Sequence, residues 1–353
     1  MAARACTAGQ RIRQATLGAG FVLFRFRFTG VFLLTVLTLG ALLLSLGVGA
    51  RALAPDEVLH YLFHPESSDP LSQVVWQSRV PRTVLVLLAG AGFGVAGGLM
   101  QAVTRNPLAD PGILGVNAGA SLAVVVGLAF LGLTDLRNYM WFALVGAFAT
   151  SVVVFVVGNA GKNHGHAVRM TLSGVALGAV LSGLSSAILL TNSDVLRRMR
   201  GWAAGTTASQ SLDDALLALP WIIGGLVIAL LSTRALDVLA LGEASAVAMG
   251  ARPNRIRLVA LVAITLLAGG ATAATGPIGF IGLLAPHLAR MLIGPHQGWI
   301  TVYSLFLGTI VVALSDVLGR VLTEGEVPVG VVTAFIGAPG LIWMARRFRL
   351  NEL

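Results

Sequence analysis

The chain has 353 residues, 56% hydrophobic and 11% charged, with a formal net charge of +9. Average soluble domains carry about 25% charged residues, so this composition excludes a soluble globule and requires a polytopic membrane protein. Cys6 is the only cysteine, which rules out an intrachain disulfide, and nothing around it reads as a lipid-modification site.

The first 28 residues read as an arginine-rich cytoplasmic extension ahead of a transmembrane domain over 29–353. Arg11, Arg13, Arg25 and Arg27 before an apolar run give this start some likeness to a secretion signal. The run exceeds the ~7–15 apolar residues of a signal peptide and further spans follow it, so it reads as an uncleaved first helix. Apolar segments at 29–50, 83–103, 112–133, 139–158, 168–191, 215–233, 257–275, 278–293, 299–319 and 329–345 predict ten helices, the eighth short. Each spans or nearly spans a bilayer at ~17–25 residues. The longest hydrophilic stretches, 51–82, 192–214 and 234–257, are too short for a soluble domain.

With a cytoplasmic N-terminus and ten alternating helices, both termini lie inside, together with 16 of the 24 basic residues and 4 of the 15 acidic ones. This satisfies the positive-inside rule and accounts for the basicity as a topology signal. No run of Lys and Arg is interleaved with stacking aromatics, so nucleic acid is not an expected partner.

Two apolar stretches are interrupted by proline and glycine, at Arg105–Gly115 and, about 170 residues further on, at Gly276–His287. Irregular backbone at membrane depth persists only where protein buries it or water reaches it. Two breaks at corresponding places in two halves point to a transporter whose substrate passes where helices are interrupted. An odd number of spans separates them, so a repeat relating 83–191 to 257–345 is inverted.

No glycine-rich phosphate loop ending in Lys-Ser or Lys-Thr is present, so ATP hydrolysis, if it drives this protein, belongs to another chain. No span carries the buried Asp, Glu or Lys that ion-coupled transport usually needs. Asp110 and Asp316 sit at predicted helix ends, where solvated or capping carboxylates are expected. No set of paired carboxylates or metal ligands at one depth suggests an intramembrane enzyme, and no metal site is expected.

Several stretches resemble the iron-siderophore, haem and cobalamin group of ABC importer permeases. They are Arg79-Val80-Pro81-Arg82, Met100-Gln101, Asn106-Pro107-Leu108-Ala109-Asp110-Pro111-Gly112 continuing to Ala120, Gly276–Leu283, Pro286-His287, Arg290, and Pro328–Ala334 with Gly337-Ala338-Pro339. The resemblance covers most of 75–345, leaves out the first 50 residues, and within the group is nearest to ferric-enterobactin-type subunits. It implies an all-α, type II importer permease of ten helices, working as a dimer with a second permease, a paralogue rather than a second copy. Two ATPase subunits, which hold the ATP and magnesium, would lie below and a periplasmic or lipid-anchored binding protein above. The cargo implied is a ferric siderophore of the catecholate, enterobactin-like kind, with haem or cobalamin as the alternative, and the membrane implied is the bacterial inner membrane.

Arg79, Arg82 and Arg320 fall at the predicted outer mouth, where Pro81 is expected to leave both neighbouring guanidiniums pointing outward. By resemblance they are docking points for glutamates on the binding protein, a use suited to the bidentate fork of arginine; interfacial snorkelling is the plainer reading. In the loop 234–257, Leu241–Gly250 reads as a short helix stopped by glycine. By resemblance Leu241, Gly242, Glu243, Ala246, Met249 and Gly250 form a coupling helix seated in the ATPase. Asn106 and Leu108 resemble a cytoplasmic gate, with Asn106 capping a freed backbone group.

Arg197, Arg198 and Arg200 form the dense basic cluster outside. They could steer anionic ferric catecholates electrostatically, or simply face lipid or an acidic partner. Thr171, Ser173, Gly174, Gly178 and Ser182 share one helix face at spacings of three and four, which either permits close helix packing or gives a weakly polar channel wall. His60 and His64 are spaced i, i+4 without an evident third ligand, and His287 is expected to act structurally at its kink.

Overall fold

The computed structural model describes residues 27–347 apart from 50, 66–67, 134–135, 161–165, 209–210 and 324. The N-terminal extension therefore lies almost wholly outside the described residues. The described residues contain helices, turns and irregular segments and no strand.

Thirteen helices follow in order: α1 (Arg27–Gly47), α2 (Pro55–Phe63), α3 (Pro70–Thr104), α4 (Val116–Phe130), α5 (Leu136–Asn159), α6 (His166–Thr191) and α7 (Ser193–Ala203). They continue with α8 (Leu212–Ala240), α9 (Glu243–Ala248), α10 (Pro253–Thr275), α11 (Ile281–Ile293), α12 (Gln297–Leu322) and α13 (Val329–Arg347). Seven are long and apolar enough to cross a membrane, and α4, α11 and α13 are shorter apolar helices. These ten coincide with the ten predicted segments; α2, α7 and α9 lie in the hydrophilic stretches between them.

Two predicted boundaries move. The second span begins at Pro70, where the Asp69 side chain accepts from Leu71 N–H at 2.7 Å. That bond and the Tyr61 hydroxyl hold the Asp69 carboxyl below its ordinary range. The helix passes through Pro81 because a π turn at Val75–Arg79 already interrupts the ordinary bonding there. The sixth span runs on to Ala240, so Arg234 and Asp237 lie on a helix rather than in a loop.

The core is built on α3, whose 18-residue apolar window is 89% buried, and on α10, at 78%. Glycines let α3 approach its neighbours. A Cβ on Gly90 would stand 2.7 Å from the Thr309 backbone nitrogen of α12, and one on Gly92 would stand 3.0 Å from Leu267 O of α10. Small residues of this kind provide the close van der Waals contact that holds helices together in lipid, where burial of apolar surface gives no drive. By contrast, only 11% of the α6 window is buried.

Candidate functional site

The two helix breaks meet. The first opens where Arg105 turns left-handed (φ 50°) and closes α3. Asn106 Oδ1 accepts from Leu108 N–H at 3.0 Å and Asp110 Oδ1 from Gly112 N–H at 2.8 Å, which starts a 3-10 turn over Pro111–Leu114. Gly115, also left-handed at φ 73°, then admits α4. The expected capping by Asn106 is thus realised, and Leu108 is 44% exposed.

In the second break Gly276 (φ 74°) ends α10 and Phe280 (φ 70°) starts α11. The segment after α7 pairs with its edge, Thr206 N–H donating to Thr275 O at 2.8 Å, while Gly205 O of the same segment accepts from Gly330 N–H at the start of α13 at 2.9 Å. Such pairing is what a break in hydrocarbon requires. A Cβ on Gly282 would stand 2.8 Å from both Asp110 Oδ2 and Pro111 Cδ, and 3.3 Å from Gly97 Cα. Gln101 Nε2 donates to Gly282 O at 3.1 Å, and Arg290 donates to Gln101 Oε1.

Beside this junction lies an open groove of about 480 Å³, lined by Asp110, Gly112, Asn117 and Ser121 on one side and by Gly174, Gly178 and Ser182 of α6 on the other. Thr272 Oγ1 donates to Asn117 Oδ1 at 2.9 Å, joining α10 to the start of α4. The small-residue face of α6 packs against the first break at Gly174, which is buried with its carbonyl 3.7 Å from where a Gly115 Cβ would stand, and opens toward Ser182, which is exposed. A Cβ on Gly178 would find its nearest neighbour, Ala118 Cβ, 4.0 Å away. Both readings of that face therefore hold in part, since Gly174 packs against the break and also lines the groove with Gly178 and Ser182.

The outer arginines do not stand free as expected. Arg79 is 5% exposed, and its guanidinium donates to Leu46 O at 2.6 Å, to Gly47 O at 2.8 Å and to Arg51 O. Arg320 pairs with Asp316 and donates to Ser45 O at 2.8 Å and Val48 O at 2.6 Å. Arg82 bonds Asp316 at 3.0 Å and Glu326 at 2.9 Å. The C-terminal carbonyls of α1, which have no partner within the helix, gather here, and arginine side chains are drawn inward to bond them, Gly47 O also accepting from Leu53 N–H at 2.9 Å.

Asp316 is likewise corrected. It is 1% exposed inside α12 and also accepts from Thr207 Oγ1 at 2.6 Å, so it is neither solvated nor a helix cap.

The loop helix α9 spans Glu243–Ala248, between Gly242 (φ 116°) and Gly250 (φ 80°). Leu241, Val247 and Met249 are 66%, 59% and 55% exposed, whereas Ala246 is fully buried and cannot offer its side chain to a partner. Glu243 is held by Arg257 at 2.6 Å. On α7, Val195, Met199 and Trp202 face inward and the three arginines outward. Arg197 pairs with Asp194 on the same helix, and Arg198 borders a cavity of about 170 Å³ with Tyr139 and Trp202. The His60 and His64 rings stack at 5.3 Å.

Sequence reasoning passed over Asn117, Thr272 and Gln297. Gln297 Nε2 donates to Gly98 O at 3.2 Å. Their signal was available: an amide or hydroxyl within an apolar span needs a partner on another helix.

A sequence profile of the FecCD transport family matches residues 36–347. The chain is 45% identical over 315 residues to the ferric enterobactin transport system permease protein FepD of Escherichia coli (strain K12), covering 89% of this chain and 94% of that one. It is 38% identical to the Fe(3+)-citrate import system permease protein YfmD of Bacillus subtilis (strain 168), covering 87% and 91%. To the hemin transport system permease protein HmuU of Yersinia pestis it is 33% identical, covering 90% and 94%. Among solved structures, a metal-chelate type ABC transporter in an inward-facing conformation superposes with a TM-score of 0.80 at 26% identity, covering 91% of this chain and all of that one. The chain belongs to the FecCD transport family.

Proposed function

We propose that this protein is the membrane-spanning subunit through which an ATP-driven importer moves a ferric siderophore, a catecholate of the enterobactin kind, into the cytoplasm. Membership of the family makes the chain a permease of a metal-chelate type ABC importer. The catecholate cargo is supported above all by 45% identity to FepD across 89% of the chain.

The geometry suits this role. The packed breaks and the open groove beside them give a path of small and polar groups, Asp110 among them, on one side of the chain, and a second permease subunit, a paralogue, would complete it. Asn106 and Leu108 would close its inner end. Exposed Leu241, Val247 and Met249 would seat α9 in a separate ATPase, which holds the ATP and magnesium, with Glu243, Gly242 and Gly250 fixing the helix. The chain itself contributes path and coupling without covalent chemistry, in the bacterial inner membrane with both termini cytoplasmic. Arg82, nearest the surface of the outer cluster, is the arginine best placed to meet a binding protein. Arg79 and Arg320 would shape that surface from beneath, and Arg197, Arg198 and Arg200 would draw anionic cargo toward it.

Uptake of labelled ferric enterobactin, a ferric hydroxamate, haem and cobalamin by cells carrying the complete system tests this reading. Uptake of ferric enterobactin alone is expected. Uptake of haem in its place would favour the likeness to the hemin permease.

A further inference from the structure

Between α8 and the start of α10 the surface carries a groove of about 420 Å³, lined by Ile228, Leu231, Ala235, Ile256 and Val259, with Arg255 among the lining residues. None of the described residues covers it: Leu231 is 80% exposed and Val259 44%. Two further exposed arginines lie close in sequence to its lining residues, Arg234 next to Ala235 on α8 and Arg252 at the N-cap of α10, three residues before Arg255.

The nearby carboxylates are committed elsewhere. Glu243 pairs with Arg257 at 2.6 Å, and Asp237 accepts from Gln297 N–H at 2.8 Å. Among the described residues, Arg234, Arg252 and Arg255 make no ion pair. A groove-lining guanidinium and two neighbouring ones in the sequence, without counter-charge among the described residues, beside an apolar groove call for a ligand that is anionic at one end and hydrocarbon at the other.

We propose that this groove binds an anionic phospholipid, with an acyl chain along Ile228, Leu231 and Val259 and the phosphate held by Arg255, supported by Arg234 and Arg252. Guanidinium pairs with phosphate in bidentate fashion, and basic pockets between transmembrane helices are the recurrent setting for anionic headgroups. Inorganic phosphate would leave the apolar lining unused. The lipid would bridge the two helices that carry α9 between them, so it would set the stiffness of the loop that meets the ATPase. Its assignment to the inner leaflet rests on the topology proposed above; the site itself does not.

The test is native mass spectrometry of the purified complex, equilibrated in mild detergent with equal phosphatidylglycerol and phosphatidylcholine. Preferential retention of phosphatidylglycerol is expected. About one fivefold loss should follow each arginine changed to Gln, the effect of one basic residue at an anionic headgroup. Leu231→Asn, which changes an exposed side chain of the groove and no buried one, should lower retention with all arginines intact. Equal retention of both lipids, or unchanged retention in both Arg255→Gln and Leu231→Asn, overturns the proposal, as does full displacement of the lipid by inorganic phosphate. Because the readout involves no transport, failure of the siderophore reading would leave this result unaffected.

Discussion

Gly97 of α3 and Gly282 of α11 meet backbone to backbone, and Asp110 closes over the same point, 2.8 Å from where a Gly282 Cβ would lie. One glycine contact thus joins the helix before the first break to the helix after the second. Gly97→Ala should force the two apart, at a cost of about 1–3 kcal/mol from overpacking, and should abolish uptake. Gly98→Ala is the control, since its nearest neighbour, Pro286 Cβ, is an ordinary 3.6 Å away. Thermal unfolding in detergent, with uptake in cells, checks both. Equal behaviour of the two variants would remove the junction from the mechanism.

Arg79 fills a ring of carbonyls at the end of α1, so its loss should be felt in folding before docking. Each buried acceptor left without a donor costs about 1–3 kcal/mol. Arg79→Glu should therefore lower the folded yield seen by fluorescence-detected size exclusion. A variant folded as well as the unaltered protein but lacking uptake would restore the outward-facing reading.

Asp316 binds two arginines and Thr207 at 1% exposure. Asp316→Asn leaves those guanidiniums buried beside a neutral amide, and breaking such a pair from one side costs about 3–5 kcal/mol. A large fall in thermal midpoint is expected. Little change would mean that water reaches the cluster.

On α9, Val247→Asp and Met249→Asp should weaken co-purification with the ATPase, because these side chains face outward. Ala246→Leu should instead disturb the loop itself, since Ala246 is fully buried. Glu243→Gln frees the helix from Arg257, and should lower transport per ATP hydrolysed more than it lowers assembly.

Much of this architecture could be read from the chain. Ten apolar segments marked ten helices, and the Asn106–Gly115 and Gly276–His287 breaks marked the irregular backbone, because hydropathy and proline-glycine chemistry are local. What the breaks touch was not local. The Gly97–Gly282 contact and the Thr272–Asn117 bond join residues over 150 positions apart. The arginines misled for a related reason. Their position beside Pro81 and Asp316 suggested a surface, but the competing partners, the carbonyls of Leu46, Gly47 and Val48, become acceptors only once α1 ends there. Spacing did reveal the small-residue face of α6, and the structure shows it packing at Gly174 and lining a groove as far as Ser182.

The most direct test of the account is uptake of iron-labelled enterobactin into proteoliposomes containing this permease with its cognate second permease and ATPase, supplied outside with the binding protein. ATP-dependent accumulation that disappears with Gly97→Ala but survives Gly98→Ala is predicted. Accumulation that proceeds without ATP, or without this chain, would contradict it.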